Sequence, residues 1–245
     1  MTQRILQVLS ISAFMSVIVF NYLAATGTLN DTDTGAVSDK YPVQITPAGY
    51  AFSIWSLIYV GLLAFTIYQA LPSRKDDEFF AKLRVPFILN SLLNCAWLVA
   101  WHYEFLALTV VLMFGILTTL LFISIRVSTA DTVSQVLAVR APFNLYFGWI
   151  TVASIVNVSI FLTSAGLDPG SGFGTYAGTL LILVAAALGT FVRFRLNAFA
   201  YAMAIAWGVT AIAIEQSGNT PIVVAAAVAV VVLLFAALWG LVKDR

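Results

Sequence analysis

The sequence predicts an all-α membrane protein, a polytopic bundle of about eight transmembrane helices. Of its 245 residues, 61% are hydrophobic and only 9% are charged, whereas a soluble domain carries about 25% charged residues. A bilayer solvates apolar side chains directly, so these residues need no large water-excluding core. The long apolar runs do not alternate between polar and apolar residues, which argues against the strands of a membrane barrel.

Eight apolar runs are each about as long as a membrane-spanning helix, which needs about 20 residues. The predicted spans cover residues 5–23, 47–71, 85–101, 106–125, 141–162, 175–191, 196–214 and 221–241. Thr46 before Pro47 marks one start, because a capping hydroxyl there precedes a proline that needs no amide partner. The first run could instead be a signal peptide. It exceeds the usual apolar core of about 7–15 residues, so we expect a retained helix.

Basic residues fall almost entirely on one side of this predicted topology. Lys40 stands alone on one side, and the other eleven of the twelve Lys and Arg residues lie on the opposite side. The positive-inside rule then places both termini in the cytoplasm and predicts insertion in the cytoplasmic (inner) membrane. The same asymmetry supports the count of eight, because removing any internal span would mix the two groups.

No loop is long enough to form a soluble domain, and the longest polar stretch covers residues 28–46. We expect two membrane units, a five-helix bundle at 1–165 and a three-helix unit at 166–245, separated by a Gly-rich link. Gly170, Gly174 and Gly178 recur every four residues into the sixth span. This spacing is typical of close helix packing, which we favour within the monomer over a homodimer interface.

The composition argues against several classes of function. A net charge of +1 provides no field for nucleic acid, and a single histidine, His102, cannot build a His-rich metal site. The single cysteine, Cys95, rules out an intrachain disulfide and is expected to be a buried thiol. No lysine lies in the middle of a span, which argues against a rhodopsin-type protein that binds retinal through a lysine Schiff base. The sequence therefore predicts no required cofactor and assigns no catalytic residue.

Three spans carry aromatic or carboxamide side chains on one helical face. Such faces would suit a large, flat, mostly apolar ligand, since the rings stack and the amides orient it. Asn can instead serve only in helix packing, and Trp and Tyr can serve as interfacial anchors. The faces comprise Phe52, Trp55 and Tyr59 on the second span, Asn90, Asn94, Trp97 and Trp101 on the third, and Tyr146, Trp149, Ala153 and Asn157 on the fifth.

These segments resemble the TspO/MBR family, the tryptophan-rich sensory proteins related to the translocator protein. The segment from Leu93 to Trp97 is similar to that family's L-N-x-x-W, and the segment from Trp149 to Asn157 to its W-x-x-x-A-x-x-x-N. Trp55-Ser-Leu-Ile-Tyr59 is similar to W-x-x-L-Y. The resemblance covers residues 5–163, and the three C-terminal spans have no counterpart in the five-helix family core.

The resemblance implies a five-helix bundle that encloses a pocket under the first loop. The resemblance also implies binding of porphyrins, haem-type tetrapyrroles and other flat hydrophobic ligands, as in the family, which in bacteria is linked to tetrapyrrole-dependent regulation and stress responses. The protein would act on such a ligand as a sensor, regulator or carrier. Some members have been credited with light-dependent porphyrin breakdown. The matching residues would line the pocket: Trp55, Tyr59, Asn94, Trp97, Tyr146, Trp149, Ala153 and Asn157.

Two alternatives remain open from the sequence. A secondary transporter of a small metabolite is compatible with eight spans, although such proteins usually contain inverted repeats and none is visible. An enzyme would need a positioned acid, base or metal. Only His102, Glu104 and Glu215 could serve, and the sequence does not bring them together. Photochemical modification of a bound porphyrin would be the exception, because the ligand itself absorbs the light.

Overall fold

A computed structural model describes residues 2–167 and 172–243, and it is built from helices. Helix makes up 83% of the structure, and no strand occurs in the described ranges. Seven helices there are long and apolar enough to cross a membrane. A further apolar helix, Phe199–Glu215, has 17 residues, the lower end of the range that spans a bilayer. The predicted fold class, an all-α polytopic membrane bundle, is confirmed.

Each predicted span overlaps one of these apolar helices. A 3₁₀ turn at Gly49–Ser53 leads into α3, and a π-helical turn at Val136–Arg140 leads into α7. The bounds are α1 Gln3–Ala25, α2 Thr34–Asp39, α3 Ile54–Ala70, α4 Glu78–His102, α5 Leu106–Val127, α6 Val133–Gln135, α7 Ala141–Ser164, α8 Gly172–Leu196, α9 Phe199–Glu215 and α10 Thr220–Lys243.

Helix α4 begins well before the predicted span, at Glu78 rather than at Val85. Its start is capped by Asp77, whose carboxylate accepts a hydrogen bond from the Phe79 amide at 3.0 Å. Pro86 therefore lies inside the helix, where neighbouring helices of a membrane protein tolerate proline. The predicted span begins at Val85 because the apolar pattern before it is interrupted by charged residues, Glu78, Lys82 and Arg84.

The π-helical turn before α7 has a local cause in Pro142. Proline has no amide hydrogen, and its ring clashes with the carbonyl four residues earlier, so a regular α-turn is disfavoured there. The Ala141 amide instead donates to the carbonyl of Val136, one residue further back than in an α-helix. Gly61 of α3 lies against the proline, since a Cβ there would stand 2.7 Å from Pro142 Cβ.

By its internal packing, the chain divides into two compact units, each made of two segments of the sequence. Unit 1 contains Met1–Val37 and Ser56–Phe143, and unit 2 contains Ser38–Trp55 and Asn144–Arg245. In unit 1, α4 packs on both α1 and α5; in unit 2, α8, α9 and α10 pack on one another. The predicted division into a five-helix bundle at 1–165 and a three-helix unit at 166–245 stays a prediction.

Three phenylalanines form the apolar centre of unit 1. Phe65 of α3 contacts Phe87 of α4 and Phe143 at the start of α7, with ring centroids 4.9 and 4.8 Å apart. All three are almost completely buried. Their edge-to-face geometry, with interplanar angles of 73° in both pairs, is the favoured arrangement of aromatic pairs. This cluster holds three helices of the unit together.

Arg84 is the largest fully buried side chain of unit 1 and donates only to neutral acceptors. These acceptors are Gln69 Oε1 at 3.1 Å, Gln3 Oε1 at 2.7 Å, and the carbonyls of Gln69 at 3.4 Å, Arg74 at 2.7 Å and Lys75 at 2.8 Å. The carbonyls lie at and just after the end of α3, where a cation is favoured by the helix dipole. One guanidinium therefore ties α1, α3 and α4 together.

Close approach of α7 and α9 organises unit 2. Gly148 lies against the backbone carbonyl of Tyr201, where a Cβ would not fit. One turn on, Thr151 and the Tyr201 hydroxyl are 2.9 Å apart and hydrogen-bonded. Gly208 of α9 in turn receives Val152, whose Cγ1 would stand 3.0 Å from an added Cβ. Glycines on both helices thus let the two backbones approach.

The polar stretch 28–46 contains a short helix that the sequence analysis did not predict. Asp33 starts α2 by accepting hydrogen bonds from the amides of Gly35 at 2.8 Å and Ala36 at 2.9 Å. Within unit 2, the later part of the stretch is fixed by Asn219, whose side chain donates to Gln44 Oε1 at 2.8 Å. Both parts of the stretch are therefore held by specific hydrogen bonds.

Candidate ligand-binding site

Four aromatic rings, from the 3₁₀ turn, the start of α3 and α7, form a cluster in unit 2. Trp55 contacts Tyr146 and Trp149, with ring centroids 5.6 and 6.4 Å apart. Phe52, in the 3₁₀ turn, contacts Trp149 at 6.0 Å. The three interplanar angles lie between 62° and 86°, so the rings meet edge to face. We call Phe52, Trp55, Tyr146 and Trp149 the aromatic cluster.

Local structure explains why these rings meet. Tyr146 and Trp149 are three residues apart on α7 and share a helical face. The 3₁₀ turn brings Phe52 beside Trp149, while Trp55 continues into α3. The turn itself is docked on α9, because Trp207 donates its indole N–H to the carbonyl of Ala51 at 3.0 Å. The position of Trp55 thus depends on a tryptophan that the sequence analysis did not single out.

A second group of predicted residues lies in unit 1, at the end of α4. Trp97 and Trp101 are stacked, with centroids 5.2 Å apart and planes 21° from parallel. The carboxamide of Asn94 accepts a hydrogen bond from Asn21 of α1 at 3.2 Å. Asn21 was not predicted as a site residue, although a carboxamide in an apolar span is itself a signal for an interhelical partner.

Burial separates the aromatic residues of the two groups into two kinds. Tyr146, Trp149 and Trp101 are buried, with 3%, 3% and 4% of their surface exposed. Trp55 and Trp97 are only partly buried. A ring that is already enclosed supports its neighbours, whereas a partly exposed ring still has surface to offer a ligand. Trp55 and Trp97 are therefore the better candidates for stacking.

Asn90 has a different environment from Asn94. Its amide donates to the carbonyl of Ile116 at 3.2 Å and to the hydroxyl of Thr119 at 2.8 Å, both on α5. These two bonds use both amide hydrogens of the side chain. The geometry explains Asn90 as a helix-packing residue, and we do not include it in the functional proposal.

The remaining predicted site residues occupy positions along α3 and α7. Tyr59 is partly buried in unit 1, and in unit 2 Ala153 is partly buried while Asn157 is buried. Ala153 and Asn157 follow Trp149 at intervals of four residues, so they continue its helical face. Their ligand contacts stay predictions.

Of the three glycines predicted to pack helices, Gly170 lies outside the described residues. Gly174 belongs to α8. Gly178 of α8 is buried, and a Cβ there would stand 3.0 Å from Ile222 Cδ1 of α10 and 3.1 Å from Ile45 Cγ2. The contacts at Gly178 are within the chain, and the choice between monomer packing and a homodimer stays open.

The three acid–base candidates of the sequence, His102, Glu104 and Glu215, have different environments in the described residues. His102 is fully buried, and its Nδ1 lies 2.9 Å from the Leu98 carbonyl within α4. Glu104 occupies a left-handed turn with φ of 56°, and Glu215 is exposed at the end of α9. Within the described ranges, no three His, Cys, Asp or Glu side chains come close enough to hold a metal ion. Ring stacking and amide hydrogen bonding are what the aromatic and carboxamide side chains of the two groups can provide.

Comparison with known proteins identifies the family. The sequence model of the family described as "TSPO-like protein" matches residues 7–239. The match runs from α1 into α10, so it extends beyond the residues 5–163 that carry the motif resemblance and includes the three C-terminal helices. No curated protein and no solved structure matches the chain. Because the family match covers nearly the whole sequence, the protein belongs to the TSPO-like protein family.

Proposed function

We propose that this membrane protein binds a flat hydrophobic ligand of the porphyrin class and acts as a sensor or carrier for it. The observation that carries the proposal is the aromatic cluster, in which partly exposed Trp55 is held by Tyr146 and Trp149. Three rings that fix each other edge to face hold the tryptophan in one orientation. A preorganised ring loses little conformational entropy when a flat ligand stacks on it.

The carboxamides provide the polar part of the proposed recognition. A tetrapyrrole has a large apolar face with a few polar groups, and a carboxamide offers both a donor and an acceptor to such groups. Within unit 2, buried Asn157 lies on the same helical face as Trp149 of the aromatic cluster. Binding to neutral amides needs no buried charge, which would be costly in the membrane.

Porphyrin binding can be tested on the detergent-purified full-length chain. Protoporphyrin IX is titrated while its own visible absorption band is followed, because six tryptophans make intrinsic quenching hard to assign. We expect a saturable spectral shift, and about tenfold weaker binding for Trp55→Leu, in line with the loss of one aromatic stacking contact of about 1–3 kcal/mol.

Trp239→Leu is the matched control, because Trp239 is exposed on α10 and stacks only on Phe235 in the described structure. It should bind like the unmodified chain. The proposal would be contradicted if protein-free detergent micelles gave the same spectral change, or if all variants bound the porphyrin with equal affinity. A porphyrin that is consumed only under illumination would instead support the light-dependent enzyme.

We further propose that the protein lies in the cytoplasmic (inner) membrane and that both of its termini face the cytoplasm. The support is the distribution of basic residues, eleven of twelve on one side. Single cysteines introduced at Lys40 and at Lys75 in a Cys95→Ala background can be labelled with a membrane-impermeant maleimide in intact cells. Labelling at position 40 but not at 75 is expected, and the reverse pattern would refute this orientation.

A further inference from the structure

An open groove with a volume of about 560 Å³ runs along the outside of unit 1 between α4 and α5. Its walls include Val85, Pro86 and Leu93 from α4, and Gly115 and Thr118 from α5. The lack of a side chain at Gly115 leaves Leu93 as the nearest neighbour, 3.2 Å from where a Cβ would stand. Leu93 therefore packs closely against α5 at Gly115, and this contact forms part of the groove floor.

The two threonine hydroxyls in the groove lining are hydrogen-bonded to the protein and offer little to a polar ligand. The Thr118 hydroxyl donates to the Phe114 carbonyl at 2.7 Å. The Thr119 hydroxyl is 3.0 Å from the Gly115 carbonyl and accepts from Asn90 at 2.8 Å. With these hydroxyls already bonded to protein groups, what remains toward the groove is carbon. Such a surface suits a hydrocarbon chain.

The length of the groove matches one leaflet of a bilayer. From Gly115 to Arg126, α5 rises about 16 Å at 1.5 Å per residue. Half of a hydrocarbon core about 30 Å thick is about 15 Å. An acyl chain that starts beside Arg126 at the end of α5 would thus reach Gly115, at the other end of the groove, near the bilayer centre.

A cation stands at the interfacial end of the groove. Arg126 lies in the last turn of α5, is exposed, and is part of the groove lining. In the described part of the chain its guanidinium makes no hydrogen bond or ion pair. A second groove, of about 320 Å³ between α1 and α3, is lined by Thr66 and apolar residues with no charged side chain. Arg126 therefore gives the α4–α5 groove a means to distinguish lipid headgroups by charge, which the lining of the α1–α3 groove lacks.

We propose that the α4–α5 groove binds one acyl chain of an anionic phospholipid whose phosphate pairs with Arg126. Hydrocarbon contact along the groove provides affinity for the chain, and the guanidinium provides preference for a headgroup with net negative charge. A zwitterionic lipid fills the same groove but carries a compensating cation of its own, so it gains less from Arg126.

The proposal can be tested by native mass spectrometry of the detergent-solubilised full-length chain, titrated with dioleoyl phosphatidylglycerol and dioleoyl phosphatidylcholine. We expect the first phosphatidylglycerol to bind about fivefold more tightly than phosphatidylcholine, the preference one interfacial basic residue provides. Arg126→Gln should remove the preference, and Arg126→Lys should keep most of it. Arg195→Gln is the matched control, an exposed arginine at the end of α8 outside this groove lining.

Thr118→Phe tests the groove independently of the charge. Thr118 is exposed, so a larger side chain there should fill the groove without disturbing the helix packing. We expect weaker binding of both lipids, with an unchanged elution volume and helix content. Unchanged lipid binding in Thr118→Phe, a headgroup preference that survives Arg126→Gln, or displacement of the lipid by inorganic phosphate alone would each overturn the proposal.

Discussion

The indole N–H of Trp101 donates to the backbone carbonyl of Thr34 at 3.1 Å. This bond joins the last turn of α4 to the first residue of α2, and Asn30 adds a second bond, from its amide to the His102 carbonyl at 2.8 Å. Trp101 is nearly fully buried and stacked on Trp97. The tryptophan therefore has a structural task in the first loop besides any part in ligand binding.

Replacing Trp101 with Phe should loosen the α2 segment without unfolding unit 1. A phenyl ring replaces the indole, so an aromatic ring remains, but the Thr34 carbonyl loses its donor. Loss of a hydrogen bond of this kind costs about 1 kcal/mol of stability. Hydrogen–deuterium exchange should quicken about fivefold at amides 34–39. Trp239→Phe, at an exposed stacked tryptophan, should leave that exchange unchanged. Equal exchange in both variants would show that the bond does not hold α2.

Arg84→Met should be strongly destabilising, by about 3 kcal/mol or more. The substitution leaves the Gln3 and Gln69 side chains and the carbonyls after α3 without their shared donor, and buried acceptors without partners are costly. Lys82→Met is the control, because Lys82 is exposed and pairs only with Glu78 on the surface. Thermal unfolding in detergent, followed by loss of the monodisperse elution peak, should show a large shift for the first variant and little for the second.

Gly148→Ala should disturb the α7–α9 packing in unit 2. The added methyl group meets the backbone of Tyr201, which cannot turn away as a flexible side chain can. Overpacking of this kind destabilises by about 1–3 kcal/mol or more. Gly218→Ala is the comparison, since no atom lies within 4 Å of a Cβ at that glycine. If both variants unfold at the same temperature, the close approach of α7 and α9 is not needed for stability.

Asn90→Ala should lower stability while leaving porphyrin affinity unchanged. Loss of the bonds to Ile116 and Thr119 should cost about 0.6–2 kcal/mol, as measured for polar contacts between membrane helices. The ligand measurement distinguishes this packing role from the ligand-binding role that the sequence pattern predicts for Asn90. A drop in protoporphyrin affinity at unchanged thermal stability would indicate that Asn90 contributes to ligand binding rather than to helix packing.

Hydropathy is sufficient to locate the membrane helices, because each apolar run is long and uniform. It is insufficient where polar residues belong to a helix. The first turns of α4 contain buried Arg84, and α2 depends on an Asp33 cap within a polar stretch. Tertiary hydrogen bonds of Arg84 in the first place, and the local Asp33 cap in the second, stabilise a helix that the hydrophobic pattern does not indicate.

Residue pairs on one helix could be predicted and pairs between helices could not. The spacing of four between Trp97 and Trp101 places them on one face, and the structure stacks them. The partners of Asn90 and Asn94, on α5 and α1, depend on how far each helix is shifted along its neighbour. A single sequence contains no direct information on that shift.

The Asn21–Asn94 bond bears on how the protein is made. Helix α1 precedes α4 in the chain, so, where spans insert in the order of their synthesis, Asn21 meets the bilayer before Asn94 does. Its amide also donates to the Val17 carbonyl on its own helix at 2.8 Å. This bond lowers the free-energy cost of exposing the carboxamide to lipid before Asn94 is present. Asn21 is thus suited to two successive environments, isolated insertion first and pairing with α4 later.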